Sequence, residues 1–156
     1  MTDILDKVID EKKLSLCVEC GKCVAGCPLA ELHERFSKEF SARGIIKRAL
    51  MGFDVWKNKE IWFCLGCNVC AQSCPAGVRY AEFIEGVRQL ALSESITEYC
   101  LFCERCGCCY LPMPTLEYMR GTLEKTKADS QFLNLCPECR NRDFAERVKF
   151  PSASAK

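Results

Sequence analysis

The sequence has 156 residues, 15 of them cysteine, and a formal net charge of +1 at pH 7. This length suits one domain with an appendage or two small domains, and 49% hydrophobic residues exclude a mainly disordered chain. The near-neutral charge argues against nucleic-acid binding, which needs a clear positive excess.

The chain contains no apolar run long enough for a membrane span, and its N-terminal residues are charged throughout, unlike a secretory signal. We therefore expect a cytoplasmic protein, a compartment in which disulfides do not persist. The odd number of cysteines agrees with this expectation. Most of the thiols are thus predicted to be metal ligands.

The first predicted element is a short N-terminal helix within residues 1–14. Its apolar positions, Ile4, Leu5, Val8 and Ile9, recur with helical spacing. The predicted core domain follows at residues 15–95.

The first cysteine run has the pattern C-x2-C-x2-C-x3-C-P and consists of Cys17, Cys20, Cys23, Cys27 and Pro28. This is the bacterial iron–sulfur pattern. Three thiolates at intervals of three residues can surround part of a cubane. The proline, which has a fixed φ and no amide hydrogen, starts a new segment of the chain after the fourth cysteine.

The segment between the two cysteine runs has the pattern of an amphipathic helix rather than the strands of small ferredoxins. Ser41 is a suitable N-cap residue. The apolar face comprises Ala42, Ile45, Ile46, Ala49, Leu50 and Phe53.

The second run repeats the pattern of the first and consists of Cys64, Cys67, Cys70, Cys74 and Pro75. In two-cluster proteins the fourth cysteine of each run ligates the other cluster. This assigns Cys17, Cys20, Cys23 and Cys74 to cluster one, and Cys64, Cys67, Cys70 and Cys27 to cluster two. Two zinc sites are the alternative, but zinc normally uses separated C-x2-C pairs.

A second amphipathic helix follows Pro75. Its apolar face comprises Tyr80, Phe83, Ile84, Val87, Leu90 and Ala91. The predicted fold class is therefore mainly α, with a helical ferredoxin core holding two [4Fe–4S] clusters.

Residues 15–92 resemble the α-helical ferredoxin module of the heterodisulfide reductase C subunit. The likeness rests on the duplicated cysteine run, the helical segment 43–52 and the segment 61–75. It implies an electron-transfer subunit of a hetero-oligomeric complex, lying between a flavin-containing A subunit and a catalytic B subunit. The alternative is the iron–sulfur subunit of a quinone- or 2-hydroxyacid-linked dehydrogenase. No catalytic residue is assigned.

Residues 96–150 form a cysteine-rich segment that departs from this family. Its two C-x2-C pairs, Cys103 with Cys106 and Cys136 with Cys139, suit one structural Zn²⁺. Between them a short helix is predicted from Thr115.

Two alternatives to this zinc site stay open. Cys100 could replace Cys106 as a ligand, or the segment could hold a third iron–sulfur cluster. Otherwise Cys100, Cys108 and Cys109 are spare thiols. Residues 151–156 are predicted to be a disordered tail.

Overall fold

The structure is a computed structural model that describes residues 2–33 and 36–148. It divides into two compact units, residues 1–99 and 100–156, a few residues beyond the predicted boundary at 95–96. The predicted tail, 151–156, lies outside the described residues. None of the described helices is both long enough and apolar enough to cross a membrane.

The first unit is built from helices and turns, and its described residues contain no strand, as predicted for the core. The predicted N-terminal helix is present as α1 (Thr2–Glu11). The unit also contains 3-10 turns at Leu14–Leu16 and Val55–Lys57. Its α-helices are α1 (Thr2–Glu11), α2 (Lys22–Ala25), α3 (Leu29–Leu32), α4 (Ala42–Leu50), α5 (Glu60–Phe63), α6 (Val69–Gln72) and α7 (Tyr80–Ser93).

The two cysteine runs share a backbone conformation as well as a sequence pattern. The third position of each run has a positive φ, 52° at Glu19 and 68° at Gly66. The fifth position does too, with 82° at Gly21 and 64° at Asn68. One-turn helices then follow, α2 and α6. The duplication is therefore structural, and it places equivalent cysteines in equivalent loops.

Helix α4 begins at a capped N-terminus beside the first run. The buried Ser41 Oγ accepts a hydrogen bond from the Gly44 N–H at 3.1 Å and donates one to the Lys38 carbonyl at 2.5 Å. The first four predicted core positions of this helix are buried. Leu50 and Phe53 are 44% and 53% exposed, because the helix ends at Leu50 and its apolar face does not continue.

Helix α7 is the central support of the first unit. All six predicted apolar positions are buried, and the helix contacts α1, α5, α6 and the Val55–Lys57 turn. At Gly86 an added Cβ would lie 3.0 Å from a methyl carbon of Val8 on α1. The glycine therefore permits the close approach of α1 to α7.

The second unit combines a strand pair with two helices. Strands β1 (Cys100–Phe102) and β2 (Cys109–Pro112) are antiparallel, with Leu101 opposite Leu111 and an irregularity between Leu101 and Phe102. Helices α8 (Met113–Lys125) and α9 (Pro137–Arg147) follow, separated by a 3-10 turn at Gln131–Asn134. The helix predicted from Thr115 begins two residues earlier. The strands were not predicted, because each is too short to show an alternating pattern.

Candidate metal centres

The first cavity of the helical unit is lined by cysteines from both runs. Cys17, Cys20 and Cys23 come from the first run and Cys74 from the second. The structure thus brings together the four residues predicted for cluster one. Cys70 also reaches the edge of this cavity.

The second cavity has the reciprocal composition. Cys64, Cys67 and Cys70 of the second run line it together with Cys27 of the first. These are the four residues predicted for cluster two. The two cavities adjoin, since they have four lining residues in common: Cys23, Ala42, Cys70 and Tyr80.

Backbone amides are directed at several of the cysteine sulfurs. The Val78 N–H donates to Cys74 Sγ at 3.4 Å. Amides of Arg43 and Leu29 likewise lower the pKa values of Cys23 and Cys27, against the larger raising effect of burial. Such amide donors stabilise thiolate ligands and sulfides. The donor set and the amides therefore fit a [4Fe–4S] cluster in each cavity.

Burial is the main influence on the pKa values of two second-run thiols. It raises the pKa of Cys70 to about 12 and also raises that of Cys64. Without metal these groups stay protonated at neutral pH, so cluster binding must release their protons.

Each cavity has one exposed cysteine, and the two occupy the same position in their runs. Cys20 and Cys67 are exposed, whereas the other six are partly buried. Each cavity therefore has one solvent-facing corner.

The polar surroundings of the two cavities differ. Beside the first, Glu19 accepts a hydrogen bond from Arg43 at 2.8 Å, and this pair is exposed. Beside the second, the half-buried Arg88 guanidinium donates to the carbonyls of Ile61 at 2.8 Å and Cys64 at 2.6 Å. It also lies over the Trp62 ring, 5.7 Å from its centroid. An ion pair thus screens the first cavity, whereas a cation on α7 supports the second.

Tyr80 and Arg88 are functional candidates that the sequence did not reveal. Tyr80 occupies the first position of the apolar face of α7, so its spacing identifies it only as a core residue. Arg88 has no recognisable motif. The sequence shows neither the proximity of Tyr80 to both cavities nor the carbonyl contacts of Arg88.

The second unit contains a third group of cysteines. The sulfurs of Cys103, Cys106, Cys136 and Cys139 all lie within 4.8 Å of one another, and three of these residues are buried. A tetrahedral Zn²⁺ with bonds of about 2.3 Å would place its sulfurs about 3.8 Å apart. The Cys106–Cys136 separation is 3.7 Å. The four thiols therefore match the spacing of a single tetrahedral ion.

Amide donors also organise this group. The Cys136 N–H donates to Cys103 Sγ at 3.3 Å, and the Cys139 N–H donates to Cys136 Sγ at 3.4 Å. The first of these bonds is the main reason that the pKa of Cys103 is lowered to about 6. Arg105, within the first C-x2-C pair, forms an ion pair with Asp143 of α9 at 2.5 Å.

Cys100 lies outside this four-cysteine group. The sequence leaves Cys100 as an alternative zinc ligand to Cys106. In the structure Cys100 lies on β1 and is disulfide-bonded to Cys109 of β2, with their Cα atoms 5.9 Å apart. This pairing differs from the expectation of spare thiols at both positions. Cys108 remains a free, exposed thiol, with its sulfur 3.4 Å from that of Cys106.

Comparison with known proteins identifies the class of the helical unit. Residues 13–78 match the family model of the 4Fe-4S dicluster domain. That range contains both cysteine runs and ends just before α7.

Several curated relatives are heterodisulfide reductase C subunits. The chain is 30% identical over 81 residues to the C 2 iron-sulfur subunit of the CoB–CoM heterodisulfide reductase of Methanocaldococcus jannaschii, covering 51% of this chain and 41% of that protein. It is 34% identical over 79 residues to the C2 subunit of the H2/formate:CoB-CoM heterodisulfide,ferredoxin reductase of Methanococcus maripaludis, covering 50% and 40%.

A third relative belongs to a different kind of complex. The probable glycolate oxidase iron-sulfur subunit of Bacillus subtilis is 32% identical over 88 residues, covering 53% of this chain and 20% of that protein. The chain thus spans less than half the length of these three relatives.

Proposed function

We propose that this chain is an electron-transfer subunit that carries single electrons through two [4Fe–4S] clusters with exchanged ligands. Cys17, Cys20, Cys23 and Cys74 hold cluster one, and Cys64, Cys67, Cys70 and Cys27 hold cluster two. The clusters supply one-electron storage, and the chain holds them side by side.

One observation carries this proposal most directly. The fourth cysteine of each run lines the cavity formed by the other run, and the two cavities adjoin at Cys23 and Cys70. Adjacent clusters can exchange electrons, and the exposed Cys20 and Cys67 give each of them an outer side.

We further infer that the chain acts in a heterodisulfide reductase-like complex, between an A-type flavin subunit and a B-type catalytic subunit. The similarity to C subunits of two methanogens supports these partners. The similarity to a glycolate oxidase subunit favours a second candidate, the iron–sulfur subunit of a quinone- or 2-hydroxyacid-linked dehydrogenase.

The C-terminal cysteines are proposed to bind Zn²⁺ as a structural ion. The close spacing of the four sulfurs supports one ion rather than a cubane, whose four irons occupy separate corners. A unit with little apolar core obtains much of its folding free energy from such an ion.

Paired alanine variants test the exchanged ligation. Cys17→Ala/Cys74→Ala removes two ligands of one proposed cluster and should keep about four iron atoms per chain. Cys64→Ala/Cys74→Ala removes one ligand from each and should keep the least iron. Ligation within each run would give the reverse order of iron contents.

Co-purification from the native host tests the proposed partners. A tagged chain is expected to recover a flavoprotein together with a cysteine-rich catalytic subunit. Recovery of a 2-hydroxyacid-oxidising flavoprotein would favour the second candidate. A redox-active chain recovered without any partner would contradict both.

A further inference from the structure

Tyr80 is the only residue with a side-chain hydroxyl among those that line both proposed cluster cavities. It is the first residue of α7, directly after the loop that carries Cys74 and Val78, and it is 4% exposed. Its position is therefore set by the fold of the second cysteine run and by the start of the central helix.

The Tyr80 hydroxyl has no hydrogen-bond partner among the described residues, although the oxygen is fully buried. Leaving a buried hydroxyl without a partner is unfavourable, because the group loses its hydrogen bonds to water. The Trp56 and Trp62 indole nitrogens are also without partners in the described part of the chain, but neither residue lines a cluster cavity. A partner supplied by the occupied cavity would remove this cost only for Tyr80.

The charged groups around the hydroxyl favour the second cavity as the source of the partner. The pKa of Tyr80 is raised well above its usual value, first by burial and then by the charges of Cys64 and Cys70, with a smaller effect of Cys27. These are three of the four ligands proposed for cluster two. The phenol therefore keeps its proton at neutral pH and is available as a donor beside that cluster.

We propose that the Tyr80 hydroxyl donates a hydrogen bond to a sulfur of cluster two and raises the reduction potential of that cluster. The inference rests on the proposed function, because it requires two clusters with the assigned ligands. Hydrogen bonds to sulfur stabilise the more negative, reduced state and raise the reduction potential.

Arg88 acts in the same direction on cluster two. Its guanidinium donates to the Cys64 carbonyl, and its charge favours the Cys64 thiolate. The first cavity is lined by cations of its own, Lys22 and the Arg43 that is paired with Glu19. Tyr80 and Arg88 therefore both raise the potential of cluster two.

Redox titration of the anaerobic, full-length protein, followed by electron paramagnetic resonance, tests the inference. In Tyr80→Phe one of the two midpoint potentials should fall by about 59 mV, a tenfold change in a one-electron equilibrium constant. The other potential should move less. Tyr99→Phe, which removes a phenol hydroxyl elsewhere in the same unit, should leave both potentials unchanged.

A second variant tests the hydrogen bond even if Tyr80→Phe assembles poorly. Replacing Tyr80 with 3-fluorotyrosine gives a more acidic, stronger donor and should raise the same potential. Unchanged potentials in either variant with full iron content, or a fall with 3-fluorotyrosine, would overturn the inference. Wild-type protein that holds fewer than two clusters would instead contradict the proposed function.

Discussion

Arg88 shows how a single side chain can stabilise a cluster loop. It donates to the carbonyls of Ile61 and Cys64, where α5 ends and the second cysteine run begins. The guanidinium thereby ties the end of this helix to the first residue of the run, and the side chain fixes the start of the loop.

Replacing Arg88 with methionine should therefore accelerate the loss of cluster two. Each abandoned carbonyl costs about 1–3 kcal/mol, and 1.4 kcal/mol corresponds to a tenfold change. We expect iron release to a chelator to be at least about tenfold faster for half of the iron. Arg79→Met, which removes an exposed ion pair with Glu82, should change the rate little. Equal rates in the two variants would contradict this role.

Cys106 and Cys108 form a matched pair for testing the C-terminal site. Both are exposed and lie two residues apart, but only Cys106 belongs to the group of four close sulfurs. Cys106→Ala should release the ion during purification, whereas Cys108→Ala should retain it. Metal analysis of the two variants decides the ligand, and retention in Cys106→Ala with loss in Cys108→Ala would reverse the assignment.

At the scale of an element, α4 depends on a close backbone contact. A Cβ at Gly44 would lie 1.9 Å from the Lys38 carbonyl oxygen, the same oxygen that accepts from Ser41. Gly44→Ala therefore forces the capping turn apart, and we expect a destabilisation of about 3 kcal/mol.

Thermal denaturation at a fixed heating rate measures this effect as a lower temperature of cluster loss. Gly121→Ala in α8 is the control, because no atom lies within 4 Å of its added Cβ. It should be neutral or stabilise its helix by up to about 1 kcal/mol. A Gly44→Ala protein as stable as wild type would show that the turn at Lys38 can move without cost.

The elements differ in how far the sequence predicts them. The apolar face of α7 is long and regular, so its spacing identifies all six buried positions. The apolar spacing predicts a longer buried face for α4 than the structure has, because the spacing does not show that the helix ends before Phe53. Strands β1 and β2 have three and four residues, too few for a period. The Cys100–Cys109 disulfide joins two positions that lie opposite Pro112 and Phe102 in the strand register, so it is not apparent from the register either.

The candidate metal centres show the same contrast between residues that the sequence predicts and residues that it does not, and the reason is physical. Cysteines are spaced by the geometry of the metal group, so their pattern survives in the sequence. Tyr80 and Arg88 act through positions that only the folded helix α7 creates, and their spacing is that of any helix. The sequence thus predicts the ligands but not the groups that adjust their chemistry.

At the scale of the whole molecule, the three proposed metal centres belong to two units. The two cluster cavities lie within residues 1–99, and the four-cysteine group lies within residues 100–156. A zinc chelator should therefore remove helical circular dichroism from the second unit while the visible absorption of the clusters persists. Parallel loss of both signals would mean that the proposed ion supports the clusters as well.

The central claim is that one chain holds two exchanged-ligand cubanes and one further ion, and anaerobic metal analysis combined with Mössbauer spectroscopy tests it most directly. We predict about eight iron atoms per chain, all in [4Fe–4S] clusters, and about one zinc. A colourless protein that binds only zinc would contradict the part of the claim that concerns the two clusters. About twelve iron atoms without zinc, or a ninth iron in place of zinc, would contradict it at the C-terminal site.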